Sequence, residues 1–157
     1  MRPEALIIIH VVFGMFGLLT ALWCYVEGLN VNSANQGRIK TSALLTAIFI
    51  WLSWILGGLY YVPFYPASKK VILAGPMPSA HNFFMETKEH IFFMLLLLAT
   101  YLPIAVRTQD ILANRASRNL VLTVAGIIVI LALIMDGSGA MIIMGERLGL
   151  QGMQVPK

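Results

Sequence analysis

Four long apolar stretches, Ala5 to Glu27, Thr41 to Val62, Phe83 to Val106 and Asn119 to Gly145, alternate with shorter polar or proline-bearing segments. Each has at least about the 20 residues that a helix needs to cross the hydrocarbon core of a bilayer. In lipid a single segment satisfies its own backbone only as a helix. The pattern therefore predicts an all-α, integral membrane, antiparallel four-helix bundle, with residues 1–157 as one transmembrane domain. The first stretch is too long for the apolar core of a secretion signal, so it reads as the first span.

The connections differ in character. Gly28 to Lys40 and Arg107 to Arg118 are compact, polar and rich in Asn and Ser, as solvated turns on one side of a bundle should be. Pro63 to Ala80 carries four prolines among aromatic and small residues, and predicts an ordered connection lying across the opposite surface, above whatever lies beneath it. An even number of spans places both termini on that second side. Lys and Arg are nearly balanced across the two sides; the tighter cluster of Arg38, Lys40, Arg107, Arg115 and Arg118 favours cytoplasmic polar loops and termini outside, in a bacterial or archaeal inner membrane.

Composition narrows the function classes. The chain is 59% hydrophobic and 11% charged, against roughly 25% charged in soluble proteins. Its net charge of +4 comes without a basic cluster, so nucleic acid is not an expected partner; the lipid bilayer and other membrane or redox subunits are. Cys24 is the only cysteine, which excludes an intrachain disulfide, covalent haem and a thiolate metal cage.

Against so apolar a background the embedded ionisable residues carry the information. Counted from the terminal side at the helical rise, His10 lies roughly 8 Å deep, Glu86 about 5 Å, His90 about 10 Å and Asp136 about 14 Å. His10 shares a helical stripe with Gly14, Gly17 and Ala21. Glu86 and His90 stack with Phe93, Met94 and Leu97, while His81, nine residues before His90, points the opposite way and is set aside as a ligand. Asp136 shares its face with Ala125, Ala132, Gly139 and Ala140, a close-packing surface that predicts an inward carboxylate. In the second span Ser42, Thr46, Ser53 and Gly57 form a small polar stripe with an architectural role.

Two histidines on different apolar helices match the demand of a low-spin b-type haem, which takes a neutral imidazole on each side. His10 and His90 are the expected axial ligands of one bis-histidine haem b. Gly14 and Gly17 would give the flat macrocycle clearance, and Glu86 or Asp136 would orient an axial imidazole or handle protons. With these residues so placed, the chain resembles small four-helix membrane b-type cytochromes, across its four spans and in the positions of His10 and His90. The resemblance implies electron transfer to or from quinone or a partner redox protein within a larger complex. Two other readings remain open: a non-catalytic accessory or assembly subunit docking through its small-residue faces, and a metal site built from His10, His90, Glu86 and Asp136. Proton-coupled transport through Asp136 and the histidines is a further possibility. The nine methionines form no repeated ladder, which favours packing over copper transfer.

Overall fold

The computed structural model describes residues 2–154. Four helices follow in order: α1 (Pro3–Leu29), α2 (Gln36–Ala74), α3 (Glu86–Thr108) and α4 (Arg115–Gln154), with a π-helical turn, Ala80–Met85, leading directly into α3. All four are long and apolar enough to cross a membrane. α1 packs on α2 and α4, and α3 packs on the same two helices, so α1 and α3 occupy opposite corners of the bundle.

Local sequence explains the ends. Pro3 stands at the start of α1, where a missing N–H costs nothing. Asn114 caps α4, its side-chain oxygen accepting from the N–H groups of Ala116 (2.9 Å) and Ser117 (3.3 Å). In the turn between α1 and α2 the Asn35 amide donates to the Glu27 carbonyl and carboxylate, and Arg38 grips that carboxylate with Nε at 2.6 Å and Nη2 at 3.1 Å. These contacts use up the polar groups of the loop and fix the hairpin.

The segment expected to lie across the surface takes a different form. α2 continues as helix through Pro63 and Pro66 to Ala74, leaving only residues 75–79 as a turn before the π-helical residues. Each proline removes a backbone donor and crowds the carbonyl four residues back. The helix persists because its continuation is packed: Tyr65, Ser68 and Ile72 are buried, and Tyr65 and Ile72 form a small core with Ala80, Met77, Met85 and Ile142. α4 extends in parallel fashion beyond Gly145, and the two extensions meet backbone to backbone. A Cβ added to Gly149 would lie 2.6 Å from the Val71 carbonyl oxygen, and one added to Gly75 would lie 2.7 Å from the Gly149 Cα. Ser68 donates to Glu146 across the same contact at 2.6 Å.

The half of the bundle nearer the two polar loops is packed solid. Ala21, Cys24, Ile39, Ala43, Ala99, Leu102, Val106 and Ile128 are almost wholly buried there. Thr46 donates to Thr20 Oγ1 at 3.2 Å, and Thr20 donates back to the Phe16 carbonyl at 2.7 Å, so the hydroxyls between α1 and α2 are partnered.

Candidate functional site

The other half of the bundle is open. A cavity of about 560 Å³ lies among all four helices, walled mainly by Ile7, Val11, Ile50, Trp54, Phe92, Leu96, Met135 and Ile142, with His10, Lys88, Glu89 and Asp136 as its ionisable groups. An apolar chamber of this size with a few convergent polar groups is the usual form of a small-molecule site.

α1 supplies His10 and α2 holds it. The ring Nδ1 lies 2.7 Å from the Ser53 carbonyl oxygen, and Ser53 Oγ donates to the His10 carbonyl at 2.9 Å. Because a carbonyl only accepts, this bond places the proton on Nδ1 and leaves Nε2 with its lone pair. Gly57 makes the arrangement possible: a Cβ there would come within 2.9 Å of the imidazole. Ser53 and Gly57, read from sequence as architectural, are thus the residues that orient the site's histidine.

Gly14 lets α1, α2 and α4 converge beside it. Its missing Cβ would sit 3.3 Å from Ser53 Oγ and 3.8 Å from Asp136 Oδ1. Asp136 lines the cavity from α4. Lys88 reaches over from α3, its ammonium close to the bare backbone of Gly139, where a Cβ would stand 3.3 Å away. Lys88, Asp136 and His10 act on one another electrostatically. The two ion pairs among the described residues, Arg38 with Glu27 and His81 with Glu86, involve neither Lys88 nor Asp136. An ammonium and a carboxylate facing an apolar chamber without a direct ion pair are costly unless something in the chamber solvates them.

A second polar chain closes the cavity towards the extensions. Tyr61 donates to Glu89 at 2.5 Å and stacks on Tyr65, ring centroids 5.1 Å apart. The Tyr65 hydroxyl lies 2.9 Å from His81 Nδ1, and His81 Nε2 lies 3.9 Å from Glu86. His81 is 4% exposed.

These positions depart from the sequence expectations in several ways. His90 is exposed, outside the cavity wall, and its Nδ1 is engaged by the Glu86 carbonyl one turn back at 2.6 Å. His10 and His90 therefore do not face a common chamber, and a haem clasped by that pair inside one chain does not fit this arrangement. His10 alone fits an axial role, with Nδ1 held by a carbonyl and Nε2 free. Gly17 offers no clearance to a ligand, because Ile50 fills the space: a Cβ on Gly17 would meet Ile50 Cδ1 at 2.5 Å. Glu86 serves His81 with its carboxylate, not an axial imidazole. Among the described residues no three His, Cys, Asp or Glu side chains gather to hold a metal ion, so the four-residue metal site is not assembled. Asp136 stands on the cavity wall with His10, but it is exposed where its close-packing face predicted an inward carboxylate. Lys88, near the start of α3, lines the cavity too and did not stand out in the sequence. Its signal was its register with the close-packing stripe Phe92, Leu95, Leu96 and Ala99 on α3.

Comparison with family models, with characterised proteins and with solved structures returns no match to this chain.

Proposed function

We propose that this protein is a redox subunit of a membrane complex and that its cavity binds a quinone. The observation that carries the reading is the convergence of His10, Lys88 and Asp136 on one apolar chamber with the lysine and aspartate lacking a direct ion pair. A quinone ring is flat, apolar on its faces and polar at two opposed carbonyl oxygens. Such a ring needs aromatic and aliphatic walls with hydrogen-bond donors at its ends. Trp54 and Phe92, stacked with centroids 6.0 Å apart, supply part of the wall, and the Lys88 ammonium supplies a donor. Reduction to the quinol consumes two protons with two electrons, and Asp136 and His10 are groups able to exchange protons at the ring oxygens. The electrons come from a partner redox centre.

A second reading keeps a b-type haem, favoured by the His10 Nδ1 bond to the Ser53 carbonyl. In that case His10 would hold the haem through Nε2, and haem would supply reversible one-electron storage. The two readings separate in one preparation. Purified protein in nanodiscs, titrated with a decyl-tailed benzoquinone and followed by tryptophan quenching, should show saturable binding. Lys88→Met should weaken it about tenfold to a hundredfold, the equivalent of a lost charged hydrogen bond of about 1.5–3 kcal/mol. Absence of saturable binding, together with a reduced-minus-oxidised b-type spectrum abolished by His10→Ala, would replace the quinone reading with the haem one.

A further inference from the structure

A second depression lies on the outer face between α2 and α3, lined by Trp51, Leu97, Thr100, Tyr101 and Ile104, and it shares Trp54, Phe93 and Leu96 with the cavity. The two are therefore adjacent, with Trp54, Phe93 and Leu96 common to both linings. From Phe93 to Ile104 the groove follows α3 for about 16 Å at the helical rise. It leads away from the charged end of the cavity, past Leu97, whose exposure is 72%, towards the polar-loop half. Its principal polar atoms are already engaged: the Trp51 indole donates to the Thr100 hydroxyl at 2.9 Å, which donates to the Leu96 carbonyl at 2.8 Å. The groove thus offers a mainly apolar, aromatic track in which Trp51 and Thr100 satisfy each other.

We infer that this groove holds the hydrocarbon tail of the same ligand whose head occupies the cavity, making the ligand a long-tailed isoprenoid quinone rather than a free ring compound. The inference rests on the quinone reading and extends it. An amphiphile has one polar end and one apolar end, and the cavity and the groove beside it have the same polarity in the same order: Lys88 and Asp136 at one end, Leu97 and Ile104 at the other. A bulky side chain at position 97 would obstruct the tail without touching the head.

The test compares two probes in nanodiscs: a dimethoxy-methyl benzoquinone head with no tail, and the same head bearing a decyl chain. Concentrations are expressed as mole fraction in the lipid, so that partitioning of the tail cancels. Leu97→Trp should lower the affinity of the tailed probe at least tenfold and leave that of the bare head within about twofold. Ile104→Trp, further along, repeats the test if Leu97→Trp does not fold, with the same direction expected for a probe bearing two or more isoprene units. Equal affinity of both probes for the wild-type protein, or equal loss of both in Leu97→Trp, would overturn the tail track while leaving the cavity reading intact. A wild-type protein that binds neither probe would overturn both.

Discussion

The two halves of the bundle are built from the same kinds of residue and behave differently. Near the polar loops, Gly17 is filled by Ile50, and Cys24, Ile39, Ala43 and Ala99 are buried to completion. Near the extensions, Gly57 is filled by an imidazole, Gly139 by an ammonium, and Gly58 faces open space. Glycine in a helical bundle thus permits close approach, and what approaches decides whether the result is a seal or a site. In the closed half an aliphatic side chain arrives and dispersion contacts hold the helices together. In the open half polar groups arrive from three helices around a chamber.

Thiol accessibility gives the largest expected contrast between the halves. Cys24, fully buried, should react with a maleimide in folded protein orders of magnitude more slowly than Gly58→Cys in a Cys24→Ala background, because Gly58 lines the cavity with nothing against it. Comparable rates would mean that the closed half opens on the labelling timescale. Overpacking comes next. Gly17→Val should destabilise the fold by about 1–3 kcal/mol, the usual cost of forcing extra methyl groups into a packed contact, whereas Gly58→Val should change it by no more than about 0.5 kcal/mol. Unfolding curves in matched detergent check the pair, and equal losses would erase the distinction drawn here. An effect of the same order is expected where the open half is closed off. Tyr65→Phe deprives buried His81 of its partner and should cost about 1–3 kcal/mol if no water replaces the hydroxyl. Quinone affinity in that variant should stay near wild type, since Tyr65 spends its hydroxyl on His81; a selective loss of affinity with unchanged stability would move Tyr65 into the binding set.

The helices were legible because their cause is local. Long apolar runs and Asn-rich turns act within a few residues, and the four helices stand where the runs stand. The continuation of α2 past Pro63 was not legible, because proline's cost is local while the compensation comes from distant partners: His81, 16 residues beyond Tyr65, and Glu146, 78 residues beyond Ser68. The inward face of α3 was misread for a related reason. Glu86, His90, Phe93, Met94 and Leu97 form a true helical stripe, yet Phe93, Met94 and Leu97 are exposed, at 59%, 55% and 72%. His81 and His90 do point opposite ways; the structure turns His81 inward and His90 outward.

By itself, then, the sequence determined a helical chain with four elements able to cross a bilayer, their order, and the short list of ionisable residues that apolar surroundings make expensive. Tertiary structure alone decided which face of each helix looks inward, and so which of those residues meet: His10 with Ser53, Lys88 with Gly139 and Asp136, His81 with Tyr65. The physical reason is that lipid and protein core are both apolar. In water the polar face of a helix declares the outside, but here hydrophobicity is nearly uniform around α1 and α2, and only the fit of small residues against particular neighbours sets the rotation of each helix.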